Sequence, residues 1–354
     1  MEHRLGLIGC GTVGQGLLEI LSRKKEYLKT TYDFEVKVVA IGDKLKGSIL
    51  FPGGIDIDKL LVLLNKGKRI PDYLGGKANR AEGMDALEII EECNASIIAE
   101  LTYTDIKTGE PATSHVKKAL NTGKHVVTSN KGPAALFYHE LTKLARENNV
   151  SFRIEGTVMS GTPVFSLFKY ALAGNQINEI KGILNGTTNF ILSKMEEEDM
   201  DYDNALKLAQ KLGYAEADPF ADVEGYDALA KIVILSNVLL GGKIKPDEAE
   251  SEGITSISKE MVKEARAQGM RYKLIASARK EKGKVKASVS PQKIPLSDPL
   301  AGIMGANNAL TFDLDLLGKV TIQGPGAGKI ETGYSILTDM LAIQRSLARK
   351  DKIQ

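Results

Sequence analysis

Residues 4–14, RLGLIGCGTVG, leave this chain few ways to fold. Arg4 to Gly9 is a short apolar run with the composition of a buried strand. Gly9-x-Gly11-x-x-Gly14 follows at once, and from Val13 to Ser22 the residues Leu17, Leu18 and Leu21 recur at helical spacing. A strand that ends in glycines and opens into a helix is the setting in which this spacing binds a dinucleotide. A side chain at Gly11 would hold the backbone off a pyrophosphate, and Gly14 lets helix and strand approach closely. Gly9, Gly11, Thr12, Val13 and Gly14 are therefore the expected cofactor-binding positions, with helix N–H groups turned to the anion. The plainer alternative is a tight strand-to-helix turn with no ligand.

The acidic residue that usually closes the second strand stands about 20 residues further on. Here Asp43 follows the strand Glu35–Ile41, 29 residues after Gly14, because Glu26–Phe34 lengthens the connection. Asp43 would favour the ribose hydroxyls of NAD, whereas Lys44 and Lys46 could pair with the 2′-phosphate of NADP. All three also fit a solvated loop.

Strand-like and helix-like segments alternate through the first 150 residues. Met84–Glu92, Ser114–Leu120 and Ala134–Asn148 read as helices, Ala95–Glu100 and His125–Thr128 as strands. That rhythm predicts an α/β fold with a doubly wound parallel sheet over residues 1–150. Gly47–Arg80 reads as an irregular or weakly helical excursion. After Ser151 the pattern becomes α+β. Val164–Ala171, Thr188–Glu198, Ala205–Lys211, Asp227–Leu240 and Lys259–Gln268 read as helices, and Ser151–Glu155, Ile177–Leu184, Tyr272–Ala278 and Lys284–Val289 as strands. A second domain over 151–328 follows, with the helical segment 329–354 expected to pack back on the first. No internal repeat of 20–50 residues is visible.

Lys+Arg of 47 against Asp+Glu of 45 gives a formal charge of +2, which argues against a protein that coats nucleic acid or an anionic membrane. No apolar run approaches the roughly 18–20 residues of a membrane span, and no secretory signal opens the sequence. The two cysteines, Cys10 and Cys93, make neither a zinc framework nor a disulfide scaffold, so a reducing cytoplasm is expected.

The segment YAEADPFADVEGYDALAK places Glu216, Asp218, Asp222, Glu224 and Asp227 within twelve residues, just before an apolar helix. Asp227 and Lys231 stand four apart on one helix face. They are either a surface ion pair or a buried lysine, and buried lysines are candidates for proton transfer. Desolvation lowers such a lysine's pKa and the neighbouring Asp227 raises it, so the outcome stays open. Lys131 lies in HVVTSNKG just past a strand, at the end of the sheet that faces the ligand crevice, or is an ordinary loop lysine. The loop Asn185–Thr188 offers N–H groups and hydroxyls to a carboxylate, or merely caps its helix. QGPGAGK at Gln323–Lys329 is a second glycine-rich loop that approaches a nucleotide or only turns the chain.

In order along the chain, GLIGCGTVGQG, TGEPATSHVKKAL, GKHVVTSNKGP, EGTVMSGTPV, GILNGTTNFIL, GYAEADPFADVEGYDALAK and QGPGAG closely resemble the homoserine dehydrogenase family. The resemblance runs from residue 5 to residue 328. It implies a Rossmann-type nucleotide domain, an α+β catalytic and dimerisation domain, and NAD(P)-dependent interconversion of L-homoserine and L-aspartate 4-semialdehyde on the route to threonine and methionine. It implies Lys231 as general acid/base, Asp227 and Asp222 as the carboxylates beside it, and Glu216 as the substrate-binding glutamate. Thr187 and Tyr214 line the amino-acid site, Lys131 is the second lysine, and Thr102 and Gly328 contact the cofactor. Glu155, Val158, Ser160 and Thr162 resemble a sodium-binding loop. A cytoplasmic homodimer is implied, and 354 residues leave no room for the C-terminal regulatory domain of some members. ELTYTD departs from the pattern, with Tyr103 where many members have proline. Two rivals remain: an aspartate-semialdehyde dehydrogenase, which needs a cysteine nucleophile, and a nucleotide-sensing protein without catalysis.

Overall fold

The computed structural model describes residues 1–76 and 79–350. The chain forms two compact units, Met1–Gly161 together with Gly328–Gln354, and Thr162–Ala327.

The first unit is built on β1 (Glu2–Ile8), β2 (Glu35–Asp43), β3 (Gly47–Ile55), β4 (Ile97–Glu100), β5 (His125–Thr128) and β6 (Phe152–Arg153), in the order β3-β2-β1-β4-β5-β6. All neighbours pair in parallel except β3, which runs antiparallel to β2. Because β6 completes this sheet, residues 151–161 belong to the first unit. Side chains alternate across the sheet. Leu5, Leu7, Ile97 and Val127 face a core shared with Leu17, Leu18, Ile336, Met340 and Ile343. On the other side, Ile8, Val39, Ile98 and Val126 pack with Ile89, Val116 and Leu141. Both faces are therefore covered by helices, as a parallel sheet requires.

The excursion expected over 47–80, of which residues 77 and 78 lie outside the described residues, does contain helix, Ile57–Asn65 with Asp56 as its N-cap and a short turn Ile70–Leu74, but it opens with an antiparallel edge strand that was not expected. Pro52, Gly53 and Gly54 hid the strand. At an edge, a residue without an N–H leaves no ladder bond unmade. The helix Lys329–Lys350 lies on the helix Thr12–Arg23, where Gly16 touches the Lys329 carbonyl and Gly333 fits against Gly16 and Leu17. A Cβ at either glycine would strike backbone.

The second unit has β7 (Ile177–Ile183), β8 (Glu250–Ser251), β9 (Met270–Glu281), β10 (Lys284–Pro295), β11 (Asn307–Leu314) and β12 (Gly318–Pro325), in the order β12-β11-β7-β9-β10-β8. It is antiparallel apart from the β8–β10 pair. The β11–β12 hairpin was not read from the sequence. Its second strand swallows Gln323–Pro325, so that part of the second glycine-rich stretch is a strand end rather than a loop. The expected helix 164–171 contains a π-helical stretch, Leu167–Ala171. The helix Tyr226–Leu239 is buried without interruption from Ala228 to Asn237, and it packs on β9 and β10.

One cation lies within this unit's core. Lys273 on β9 is 1% exposed; its Nζ donates to Asn189 Oδ1 at 2.8 Å and to the Ile303 carbonyl. Burial, helped by Arg271, pulls its pKa down to about 7 from the usual 10.5, against the attraction of Glu196 and Glu197. Between these two values the unfolded chain binds a proton that the folded chain does not, so this residue makes stability rise with pH across that window. Below pH 7 the full cost of a buried ammonium remains. The Lys273→Met variant, compared with the parent by urea unfolding from pH 6 to pH 10, should lack this rise. Parallel curves would show that Lys273 is not desolvated as described.

Candidate active site

In the first unit the strand-to-helix turn has the stereochemistry its glycines permit. Gly9 has φ +97°, and a Cβ there would lie 2.6 Å from the Leu101 carbonyl oxygen. A Cβ at Gly14 would lie 2.6 Å from the Gly9 oxygen, whereas one at Gly11 would meet nothing within 4 Å. Gly9 and Gly14 thus serve close packing, and Gly11 keeps a concave approach open. Thr12 and Val13 begin the helix, with Gly11 at its N-cap.

Asp43 turns towards this loop. Its Oδ2 accepts the Cys10 N–H at 2.7 Å, and its Oδ1 accepts the N–H groups of Leu45 and Lys46 at 3.0 and 2.8 Å. Lys46 Nζ donates to the Cys10 carbonyl at 2.7 Å, while Lys44 is exposed. A cleft of about 1330 Å³ opens here, lined among others by Gly9, Gly11, Asp43, Lys44, Thr102 and His115. It satisfies what a dinucleotide needs at the carboxyl ends of β1, β2 and β4. Lys131 opens the short helix Lys131–Leu136, and Asn130 caps it by accepting the Gly132 N–H. Cys10 is wholly buried, and burial pushes its thiol up to about 12; Cys93 is buried and raised for the same reason.

In the second unit the acidic stretch divides. Glu216 and Asp218 are exposed; the Asp218 carboxylate accepts the Phe220 N–H, while the Glu216 carboxylate has no ion pair among the described residues. Glu224 accepts from Thr255. Asp222 and Asp227 turn inward and share one amide. Asn185 Nδ2 donates to Asp222 Oδ1 at 2.6 Å and to Asp227 Oδ2 at 2.9 Å, while its Oδ1 accepts the Thr188 N–H at 2.9 Å. Lys231, 8% exposed, donates to Asp227 Oδ2 at 2.7 Å and to the Leu184 carbonyl at 2.8 Å. Thr187 Oγ1 donates to the Tyr214 carbonyl at 2.6 Å and to Asp222 Oδ2 at 3.3 Å. Burial, reinforced by Asp227, raises the Asp222 pKa, and Asn185, Lys231 and Thr187 oppose the rise.

Lys231, Asp227, Asp222, Thr187 and the Tyr214 backbone therefore form one cluster, with Glu216 just beyond it in sequence. The loop from Asn185 both caps its helix and holds carboxylates, but these are the protein's own. The capping alternative for this loop is met by Asn185 Oδ1, and its Nδ2 adds a role that local spacing does not show, as the common donor of two aspartates about 40 residues further on.

Glu155 is buried and its N–H donates to Asp339 Oδ2 at 2.8 Å. Val158 is buried, and Ser160, with φ +52°, shares a 2.8 Å hydroxyl hydrogen bond with Thr332. Thr162 opens the second unit, and Gly328 precedes the last helix. Among the described residues no three or more His, Cys, Asp or Glu side chains group as metal ligands, and no helix is long and apolar enough to cross a membrane.

Residues 9–155 match the family profile "Homoserine dehydrogenase, NAD binding domain", and residues 163–341 match "Homoserine dehydrogenase". An NAD(+)-dependent homoserine dehydrogenase of Pseudomonas canavaninivorans is 44% identical, with 99% of each chain covered. A putative homoserine dehydrogenase structure from Archaeoglobus fulgidus superposes with a TM-score of 0.85 at 39% identity, covering 96% of this chain and 99% of that one. A hyperthermophilic archaeal homoserine dehydrogenase in complex with NADPH gives 0.82 at 32% identity, with 98% of each covered.

Asn185 is the measurable centre of the second unit's cluster. Asn185→Ala removes a cap and two hydrogen bonds to carboxylates and should cost about 2–4 kcal/mol in urea unfolding. Asn185→Asp, which keeps the cap but adds a third negative charge, should cost at least as much. Two variants with parental stability would mean that the shared amide holds nothing together.

Proposed function

This chain belongs to the homoserine dehydrogenase family of NAD(P)-dependent oxidoreductases, and from that premise we propose how its residues divide the interconversion of L-homoserine and L-aspartate 4-semialdehyde. Oxidation of the alcohol removes a hydride from carbon and a proton from oxygen, and nicotinamide, when bound, takes the hydride. The proton belongs to Lys231. In reduction its ammonium polarises the aldehyde oxygen and donates; in oxidation the amine receives the hydroxyl proton. The observation that carries this reading is the fixed Nζ of Lys231, held by Asp227 and the Leu184 carbonyl with little exposure. Asp227 orients the amine, and Asp222 completes the charged wall. The exposed carboxylate of Glu216, without an ion pair among the described residues, suits the substrate ammonium. The start of the helix Gly186–Glu197, with its positive dipole end, suits the substrate carboxylate. Lys131 assists from the end of β5.

Gly9, Gly11, Thr12, Val13, Gly14, Thr102 and Gly328 hold the cofactor. Asp43 recognises ribose hydroxyls and the exposed Lys44 a 2′-phosphate, so both NAD and NADP have a partner in the cleft. Glu155 with the main-chain oxygens of Val158, Ser160 and Thr162 is a hard-oxygen donor set of the kind sodium takes. We assign no reaction step to it. The family resemblance supports a cytoplasmic homodimer built through the second unit, which sedimentation would test. The thioester chemistry of an aspartate-semialdehyde dehydrogenase is disfavoured, since a buried thiol with pKa near 12 offers no thiolate.

Two measurements test the assignment. Lys231→Ala should lower kcat for homoserine oxidation by about 100-fold or more, with cofactor affinity within twofold of the parent; near-normal turnover refutes the role of Lys231. Lys44→Glu should raise the KM for NADP by about tenfold and leave that for NAD unchanged. Equal effects on both would remove Lys44 from phosphate recognition.

A further inference from the structure

Tyr103 stands out in the cleft of the first unit. It lines the same cavity as Gly9, Gly11 and Asp43, yet 69% of it is exposed. The backbone that carries it is held from three sides. Glu100, wholly buried at the end of β4, accepts from the Thr102 N–H at 3.3 Å and from the Thr102 hydroxyl, and it faces His115 Nδ1 at 3.3 Å. Asn130, just beyond β5, donates from Nδ2 to the carbonyls of Thr102 at 3.2 Å and Tyr103 at 2.9 Å. Gly9 abuts the Leu101 carbonyl closely enough to exclude any side chain. A large aromatic ring is thus presented to water on an immobilised segment, inside a cleft whose other walls fit a dinucleotide.

The sheet order says which half of the dinucleotide the ring meets. Asp43 ends β2 and marks the adenosine side. Tyr103 hangs from β4, on the opposite side of β1, next to the loop after β5. We propose that Tyr103 is the platform on which the nicotinamide ring of the cofactor stacks, with Glu100 and Asn130 as its positioning residues. This rests on the reading of the cleft as the NAD(P) site. A flat heterocycle lying on a phenol ring removes water from the two faces that meet, one on each ring, and gains the offset-stacking attraction of aromatic pairs.

The chain contains no tryptophan, so Tyr103→Trp creates a single fluorescent reporter. NAD+ should quench its emission strongly, whereas ADP-ribose, which lacks the nicotinamide, should leave it nearly unchanged. In calorimetry, Tyr103→Ala should weaken NAD+ about 3- to 10-fold and ADP-ribose less than twofold, and Tyr103→Phe should bind both as the parent does. Equal losses for the two ligands, no loss for either, or quenching by ADP-ribose as strong as by NAD+ would overturn the assignment. Failure of the parent to bind ADP-ribose would mean that the cleft is not the nucleotide site, and the inference would fall with that reading.

Discussion

The amide of Asn185 is the interaction on which the second unit's buried polar cluster depends. Two carboxylates brought together in a partly buried place repel each other, and Asn185 Nδ2 eases this by donating to both. Its oxygen is meanwhile committed to the first turn of the helix Gly186–Glu197, so the amide cannot rotate without uncapping that helix. Asp227, oriented in this way, fixes the amine of Lys231. The local order of events therefore runs from a helix cap to a carboxylate pair to an amine at a defined position.

The first unit solves a similar problem with main-chain groups. Asp43 uses one oxygen to anchor the Cys10 N–H and the other to shape the turn that starts β3. Lys46 closes the loop from the opposite direction through the Cys10 carbonyl. The glycine turn is thus braced from behind before any ligand arrives, and a preformed cradle loses less ordering free energy on binding.

Much of this was legible in the residues. The strand, glycines and helix at 4–22 announced their own geometry, because few sequences can pass from a buried strand to a helix in so short a turn. The apolar helix after the acidic stretch left Lys231 open between a surface ion pair and a buried lysine, and the structure buries it. The β11–β12 hairpin escaped because Leu316 and Leu317 in its turn look like core, although both are exposed. β3 escaped because Pro52 and two glycines interrupt it. The braces at Glu100, Asn130 and Lys46 were invisible for another reason. Asn130 and Lys46 act across 27 and 36 positions and Glu100 meets His115 across 15, and no local spacing encodes contacts at those distances. Lys273, on a strand otherwise apolar at that point, gave no sign of its neighbours Asn189 and Ile303.

The helix Lys329–Lys350 belongs to the first unit, although all of Thr162–Ala327 lies between it and the strand–turn–helix it covers. On the ribosome, β1 and the helix Thr12–Arg23 emerge with the surface around Leu17 and Leu18 bare. The residues that complete it, Ile336, Met340 and Ile343, follow on the order of tens of seconds later. The inserted unit has all of its own strands by then and can close first. A nascent chain from which Thr162–Ala327 has emerged while Ile336, Met340 and Ile343 have not would therefore carry a complete second unit beside an open first one.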